Sequence, residues 1–278
     1  MWVSLVVGCC LTYLLASILT HRYLYRRQRS NGWKLLRDVR RILLVIAHPD
    51  DECLFFGPLL QGLLKGSPSS EGDDSDGDEE NEVKNKMFVE PDVHILCLSS
   101  GDFRLQGNDR KVEFVRSCKQ LGIIDSHVTM IEHTKLPDGP SFVWNKHLVK
   151  EIVLRHVEQL AIDTVVSFDR YGVSGHANHA AIYIALQQLY SRGKLPVDTR
   201  VFVLESVNIL RKYISLLDVP WSCWRSNYCY VNGWREYSQC VGAMKEHQSQ
   251  LVWFRVLYLL FSRYMIVNTL KRISPVPK

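Results

Sequence analysis

The sequence predicts a Rossmann-like α/β fold: a mostly parallel sheet with helices on both faces, preceded by one N-terminal transmembrane helix. Three observations support this fold class. Strand-like apolar runs alternate with helical patterns, histidines and carboxylates directly follow two of those runs, and a stretch without charged residues opens the sequence. Alternating strands and helices are typical of parallel sheets, because parallel strands need crossover connections.

The N-terminal helix is predicted from the uncharged run Trp2–Thr20, which as a helix can cross about 30 Å of hydrocarbon. Between residues 22 and 41, eight arginines and lysines stand against one aspartate. Because basic residues stay in the cytosol, we expect a transmembrane signal-anchor at 1–21, a basic juxtamembrane linker at 22–41, and the rest of the chain on the cytosolic side. A cleaved secretory signal is the alternative, but its charges would precede the apolar run.

The composition agrees with one cytosolic domain. The eight cysteines form no Cys-x-x-Cys pair and the chain has no Asn-x-Ser/Thr acceptor, so neither a disulfide framework nor a thiolate zinc site is expected. The net charge is +5, and attraction to anionic lipid headgroups explains the basic linker better than binding of nucleic acid. We expect a single catalytic domain at 42–270, since 278 residues with 46% hydrophobic content form one good-sized core.

Five strands and four helices are predicted from the hydrophobic periodicity. The predicted strands are Ile42–Ala47, Val93–Leu98, Val128–Ile131, Thr164–Phe168 and Val201–Leu204. The predicted helices are Glu52–Lys65, Arg110–Leu121, Asn145–Leu160 and Ala177–Ser191. No Gly-x-Gly-x-x-Gly follows the first strand, so an interpretation as a dinucleotide-binding domain lacks its phosphate-binding loop.

An acidic segment interrupts this pattern at 66–91, where eight carboxylates between Glu71 and Glu82 follow a Ser-Pro-Ser-Ser sequence. Such a block of like charges cannot bury enough surface to order itself, so it predicts a disordered surface insertion. A calcium-binding loop is the alternative, but the segment lacks the spacing that ends in a bidentate glutamate.

The C-terminal segment Leu251–Ile266 is apolar and aromatic apart from Arg255 and Arg263, and two arginines disfavour a second membrane span. On a helix, Gln248, Arg255 and Ser262 share one narrow polar stripe. Two interpretations remain open: an interfacial helix, which we favour, and a core helix with this stripe outward.

The most informative motif is His48-Pro49-Asp50-Asp51-Glu52, which directly follows the first predicted strand. Ionisable groups at the end of a buried strand are costly unless a cation or a reaction uses them. The C-terminal edge of an α/β sheet is also where such folds bind ligands. The alternative is a solvated acidic first turn of the next helix.

A second motif follows the fourth predicted strand, where a glycine-rich loop leads to His176 and His179. Three residues apart at the start of a helix, these histidines lie on neighbouring faces of one turn. With the first motif they supply two histidines and one carboxylate for a metal, plus a spare histidine and a spare aspartate. Catalytic zinc has three protein ligands and an open position, and hydrolysis needs an acid and a base.

Ala47–Glu52 and Gly175–His179 together resemble the LmbE-like zinc de-N-acetylase family, and Val173–His176 and Ser206–Asp218 resemble its eukaryotic members. The resemblance covers residues 40–270 apart from the acidic insertion. It implies removal of the acetyl group from N-acetylglucosaminyl-phosphatidylinositol, the second step of glycosylphosphatidylinositol (GPI) anchor biosynthesis, on the cytosolic face of the endoplasmic reticulum membrane. Two alternatives stay open: deacetylation of another N-acetyl sugar conjugate, and a catalytically silent scaffold in anchor assembly.

The resemblance also implies the roles of five residues. His48, Asp51 and His179 would bind one Zn²⁺ per chain, or another divalent metal. Asp50 would be the general base. His176 would stabilise the oxyanion and help to protonate the leaving amine.

Three further residues are site candidates: Asp138, Arg110 and Ser174. Asp138 matches an acidic residue that orients the catalytic histidine in the family, although Pro-Asp-Gly is also a common turn. Arg110 would contact the substrate or pair with Glu113 across one helical turn, and the pairing is the simpler interpretation. Ser174 stands where bacterial relatives often carry a tyrosine that donates to the oxyanion.

Overall fold

The structure is a computed structural model. It describes residues 2–31, 39–64, 91–101, 107–139 and 142–274, without the side chains of residues 2, 3, 30, 31 and 174. The acidic insertion predicted at 66–91 lies outside these residues except for Pro91, and so does the middle of the linker predicted at 22–41.

Seven strands form one sheet in the order β3-β2-β1-β4-β5-β7-β6. They are β1 (Arg41–Ile46), β2 (Asp92–Cys97), β3 (Val128–Met130), β4 (Thr164–Phe168), β5 (Arg200–Leu204), β6 (Tyr228–Val231) and β7 (Val267–Arg272). Strands β1 to β5 pair in parallel, whereas β7 is antiparallel to both β5 and β6. The predicted, mostly parallel α/β sheet is therefore confirmed, with two C-terminal strands that the periodicity did not predict.

Strands β1 and β4 are neighbours near the middle of the sheet, paired from Ile42↔Thr164 to Leu44↔Val166. All of β4 and all but the first residue of β1 are buried, as expected for parallel strands covered on both faces. The chain runs from β1 to β2 on one side and from β4 to β5 on the other. The C-terminal ends of β1 and β4 thus flank the point where α/β sheets bind ligands.

Helices cover the sheet. They are α1 (Trp2–Asn31), α2 (Asp51–Leu54), α3 (Gly57–Leu64), α4 (Gly107–Leu121), α5 (Lys146–Gln159), α6 (Gly172–Gly175), α7 (Ala177–Ser191), α8 (Ile209–Lys212), α9 (Val219–Arg225), α10 (Trp234–Glu246) and α11 (Trp253–Phe261). Helix α10 packs against α2, α3 and α4, and α5 packs against α7. The single helix predicted at Glu52–Lys65 is in fact two, α2 and α3. A Cβ at Gly57 would lie 2.5 Å from the Cys240 Sγ, so glycine lets α3 start against α10.

Strand β7 was not predicted because two of its four buried side chains are polar. Asn268 and Thr269 are buried in the middle of the strand. The Asn268 Oδ1 accepts from the Leu59 N–H at 3.1 Å, and its Nδ2 donates to the Phe55 carbonyl at 2.9 Å. The side chain therefore satisfies backbone groups at the break between α2 and α3, at the expense of the alternating apolar pattern of a strand.

Helix α1 continues past the apolar run to Asn31, through the first half of the predicted linker. It is long and apolar enough to cross a membrane. It packs against α9, β6 and the short 3-10 turn Ser215–Asp218. Three of its side chains bond to that part of the domain: Tyr13 to the Leu217 carbonyl, His21 to the Asn232 carbonyl and Gln28 to the Val231 backbone.

Candidate active site

The loop after β1 folds around two carboxylates. The Asp51 Oδ2 accepts from the backbone N–H of Ala47 at 3.0 Å and of His48 at 2.9 Å. The Glu52 Oε2 accepts from the Asp50 N–H at 2.9 Å. Asp50 has a φ of 107°, a left-handed conformation that a non-glycine residue adopts only when its surroundings impose it. Local hydrogen bonds thus hold this acidic turn in a conformation that aims its side chains at the sheet edge.

The loop after β4 is held by Asp169 and shaped by a glycine. The Asp169 Oδ1 accepts from the backbone N–H groups of Tyr171 and Gly172 at 3.0 and 3.1 Å. Gly172 has a φ of 57°, and a Cβ there would lie 2.8 Å from the His179 Cβ. Glycine is therefore required for α6 to turn closely over α7, which carries His179 in its first turn.

His179 is fixed so that one ring nitrogen faces the acidic turn. Its ring stacks on Phe168 with centroids 3.8 Å apart, and its Nδ1 lies 3.0 Å from the Gly172 carbonyl. With the Nδ1 proton donated there, the Nε2 carries a lone pair. This Nε2 is buried without a hydrogen-bond partner, 3.3 Å from the Asp51 Oδ1. Two electron-rich atoms at this distance favour a cation between them.

The structure brings His48, His176 and His179 together. One ring nitrogen from each lies within 4.8 Å of the others, and the His176 Nδ1 is also buried without a hydrogen-bond partner. The His48 Nδ1 lies 4.0 Å from the Asp51 Oδ2. Imidazole nitrogens and a carboxylate oxygen are donors that zinc prefers, and a backbone carbonyl bound to the other nitrogen is the usual support of such a histidine. The residues present therefore fit a metal ion.

The electrostatics of this cluster suit a cation and a neutral imidazole. Burial opposes a charge on Asp51, but His179 and His48 outweigh burial and hold the pKa of the Asp51 carboxyl well below its usual range. Burial, reinforced by His179 and His48, lowers the pKa of His176 to about 4. His176 is therefore neutral at pH 7, with one N–H to donate and one nitrogen to accept.

Asp138 contacts His48 in the structure. Its Oδ1 lies 3.0 Å from the His48 Nε2, and its Oδ2 lies 3.5 Å from the Arg110 Nη1. Burial opposes a charge on His48, yet the hydrogen bond to Asp138 and the charge of Asp51 raise the pKa of His48. A metal would therefore bind His48 in competition with protons. The sequence prediction linked Asp138 to the catalytic histidine His176, whereas its carboxylate bonds to a predicted metal ligand.

Arg110 does not pair with Glu113 within the described residues, so the simpler interpretation of these two residues is wrong. The Arg110 guanidinium donates to the Gly101 carbonyl at 2.6 Å and to the Pro49 carbonyl at 2.8 Å. Its Nη2 also lies 3.6 Å from the Asp50 Oδ2. Glu113 instead accepts from the backbone and side chain of Ser249. Arg110 therefore connects the acidic turn to the loop after β2.

Two further residues of the site were not recognised in the sequence. Arg255 on α11 pairs with the Asp50 carboxylate, so this residue of the polar stripe faces the site, whereas the core-helix interpretation placed the stripe outward. His247 lies 2.7 Å from the Glu52 Oε1, which also accepts from the Ser117 hydroxyl at 2.6 Å. Both have long sequence separations from the acidic turn, and no local pattern marks either.

Glu52, Cys53 and His247 also place donor atoms within 4.8 Å of one another, but a structural role explains this group. Burial opposes both charges of the Glu52–His247 pair, yet each partner outweighs it, lowering the pKa of Glu52 and raising that of His247. Burial and the nearby carboxylates raise the pKa of the Cys53 thiol, so it is a poor thiolate ligand. The pair is an ion pair beneath the acidic turn.

A cleft of about 760 Å³ opens beside the histidine cluster. Its lining is mixed polar and apolar and includes Ser99, Glu132, Asp138 and Phe142. The backbone of Ser174, the remaining site candidate, lies in α6, and its side chain is outside the described residues. The cleft meets the cluster at Asp138, whose Oδ1 lies 3.0 Å from the His48 Nε2.

Comparisons with known proteins identify a matching family and related proteins. Residues 43–190 match a family model described as PIG-L, GlcNAc-PI de-N-acetylase. A Bos taurus protein named N-acetylglucosaminyl-phosphatidylinositol de-N-acetylase is 42% identical over 231 residues, covering 83% of this chain and 82% of its own. A Schizosaccharomyces pombe protein named as a probable enzyme of the same kind is 34% identical, over 88% and 91%. N,N'-diacetylchitobiose deacetylase from Pyrococcus horikoshii shares the fold at 12% identity, with a TM-score of 0.56 over 91% of each chain.

Proposed function

The chain belongs to the PIG-L family of GlcNAc-PI de-N-acetylases, and from this premise we propose its reaction. It hydrolyses the acetamide of N-acetylglucosaminyl-phosphatidylinositol with the help of a zinc ion. The products are acetate and glucosaminyl-phosphatidylinositol, in the second step of GPI-anchor biosynthesis. The observation that carries the proposal is the cluster of His48, His176 and His179 beside the Asp51 carboxylate.

The metal would be held by His48, Asp51 and His179. The unpartnered Nε2 of His179 and the Oδ1 of Asp51 face each other at 3.3 Å, and the Nδ1 of His48 faces the other oxygen of Asp51. When bound there, zinc supplies a Lewis acid that polarises the amide carbonyl and lowers the pKa of water to about 7. Another divalent metal remains compatible with these donors.

Asp50 is the proposed general base. Its carboxylate lies in the acidic turn beside the proposed ligand Asp51, held from two sides by Arg110 and Arg255. Both contacts fall on the Asp50 Oδ2, so they fix the carboxylate, and its other oxygen, Oδ1, would receive a proton from the attacking water. A positioned base of this kind typically contributes about 10²–10⁴-fold to the rate.

His176 is the proposed partner of the developing oxyanion and the leaving amine. Its neutral imidazole, with a pKa of about 4, offers an N–H donor to an oxyanion without the cost of carrying a charge next to a cation. As the C–N bond breaks, the proton taken by Asp50 passes to the amine, either directly or through His176. Donors aimed at the position of an oxyanion are among the largest contributions to amide hydrolysis.

The test is acetate release from the glycolipid by the purified full chain, with metal analysis of the same preparation. We expect about one zinc per chain and release that a chelator abolishes and zinc restores. A protein that turns over only soluble N-acetyl sugars would favour deacetylation of another conjugate. A protein without metal and without release under any added divalent ion would favour a silent scaffold, and the proposed reaction would be wrong.

We also propose that α1 spans the endoplasmic reticulum membrane once, with the catalytic domain on the cytosolic face. The charge asymmetry after the apolar run supports this orientation. In sealed microsomes, an external protease should digest the domain around His48, and a glycosylation acceptor added near Lys278 should stay unmodified. Protection of the domain from protease would reverse the orientation.

A further inference from the structure

The apolar run of α1 overlaps with its packing surface on the catalytic domain. Tyr13, inside that run, donates to the Leu217 carbonyl at 2.9 Å, and Ser17 is fully buried. At 1.5 Å per residue, the free residues 2–12 are only about 16 Å long, whereas the hydrocarbon core is about 30 Å thick. If α1 spans the membrane, as the proposed function requires, the domain surface beside Leu217 must enter the bilayer to a depth of about 12 Å, the length of residues 13–20.

The surface beside Leu217 is apolar and exposed. Its protruding side chains come from α8 and α9: Ile209, Leu210, Trp221 and Trp224. Leu210 is 77% exposed and Trp224 is 75% exposed, which is costly for large apolar groups in water. Exposed tryptophan is typical of a membrane interface, because its ring is largely apolar while its N–H can bond to polar headgroups.

Helix α11 extends this surface. Tyr213, at the end of α8, contacts the Tyr258 ring with centroids 6.2 Å apart, so the two helices are neighbours. The outward face of α11 is again apolar, and its exposed side chains are Trp253, Phe254, Val256, Leu257, Leu260 and Phe261. A continuous apolar surface of this extent marks a site of contact with a partner or a membrane.

Two charged residues inside this surface, Arg211 and Asp218, neutralise each other. Arg211 makes two bonds to the Asp218 carboxylate, at 2.7 and 3.0 Å. The Ser222 hydroxyl donates to the same carboxylate at 2.6 Å. Charges in an apolar environment are stable only when they are paired, so this pairing suits immersion in a bilayer.

We propose that α8, the Ser215–Asp218 turn, α9 and α11 form a docking face that is embedded in the cytosolic leaflet of the membrane. The occupant is the lipid bilayer, because α1 enters the same bilayer while packed against this face. Arg255 joins the inner side of α11 to Asp50, so the docking face directly borders the active site. A glycolipid then reaches the histidine cluster with its sugar while its acyl chains stay in the leaflet.

The experiment uses the full chain in nanodiscs whose lipids carry bromine on their acyl chains, because bromine quenches tryptophan that contacts it. We expect the emission of Trp221 and Trp224 to be quenched, so that a Trp221→Phe/Trp224→Phe variant loses part of the quenchable signal. Val197 provides the matched control. It is 91% exposed and precedes β5, at the opposite edge of the sheet from the site. Emission added by Val197→Trp should not be quenched.

Unquenched emission from Trp221 and Trp224 would overturn the docking face. Quenching does not require turnover, so the two proposals can fail separately. A preparation that releases acetate without quenching would leave the proposed reaction intact. An inactive preparation that shows quenching would leave the docking face intact. A single charged substitution gives a second readout. Leu210→Asp should lower glycolipid turnover by about tenfold with the metal content unchanged, the loss expected for a charge placed in the interface. Ile124→Asp, exposed on another part of the domain, should have no effect, and equal effects of the two would contradict the proposal.

Discussion

The strand ends of β1 and β4 differ from the C-terminal region 209–272 in how each contributes to the site. At the strand ends, the residues that would do chemistry sit within a few positions of one another, as in His48 to Asp51 and His176 to His179. The C-terminal region contributes single residues that reach the same place from afar, such as Arg255 on Asp50 and His247 on Glu52. The reactive groups are thus local in sequence, whereas Arg255 and His247, which add to the local hydrogen bonds around them, are distant.

The largest effect should come from the strand ends. We expect His179→Ala to lose both metal and activity, because it removes a proposed ligand whose Nε2 faces Asp51. Metal analysis and acetate release on the same preparation check this. His147→Ala, an exposed histidine in α5, is the matched control and should keep both. A His179→Ala protein with full metal content would remove His179 from the ligand set.

Asp50→Asn should distinguish the proposed general base from the proposed metal ligands. We expect this variant to keep its metal and to lose about 10²–10⁴-fold in rate, the contribution that a general base typically makes. The measurement is kcat for acetate release alongside metal content. If Asp50→Asn emptied the site while Asp51→Ala kept its metal, the two roles would have to be exchanged.

The buried ion pair of Glu52 and His247 tests the support supplied by the C-terminal region. His247→Gln leaves the Glu52 charge buried and unpaired, which should cost about 3–5 kcal/mol of unfolding free energy. The pKa of His247 is raised above its ordinary 6.5, so its stabilisation is present below pH 6.5 and is lost as the pH rises through the folded value. The pKa of Glu52 is lowered from its ordinary 4.5, so its share is present above pH 4.5 and is lost on further acidification.

The cost of His247→Gln should therefore be largest between pH 4.5 and 6.5 and shrink in alkaline buffer. Thermal unfolding of wild type and variant at pH 5.5 and at pH 9 would measure it. The matched control is His156→Gln, a half-buried histidine on α5. A cost that stayed constant with pH would mean that packing, rather than the ion pair, accounts for the stability.

Arg255 should give the smallest effect of the four. Arg255→Ala removes one of two guanidinium contacts to Asp50, and we expect a drop in kcat/KM of about 10–100-fold, as for one hydrogen bond to a charged group. Arg255→Lys should restore part of the rate. Arg235→Ala, exposed on α10, is the control. Unchanged kinetics in Arg255→Ala would show that Arg110 alone positions the base.

The comparison also explains what the sequence could predict. Periodicity was sufficient to predict the five parallel strands. The two motifs were sufficient to predict that four site residues lie together, because parallel strands end at one edge of the sheet. These residues are His48, Asp51, His176 and His179. The contacts of Arg255 and His247 depend on how the last third of the chain folds back, which no spacing encodes. Strand β7 was missed because the buried Asn268, which bonds to backbone groups in the core, interrupts the apolar pattern of the strand.

The position of β7 between β5 and β6 has a consequence for biosynthesis on the ribosome. Helix α1 is translated before every strand of the sheet, and it is long and apolar enough to cross a membrane. Residues 267–272 are translated after the other six strands, yet their Asn268 completes the backbone bonds beside the acidic turn. A chain that stops before β7 would therefore carry α1 and the acidic turn without the Asn268 bonds beside that turn, so the site is finished only after β7 has been translated.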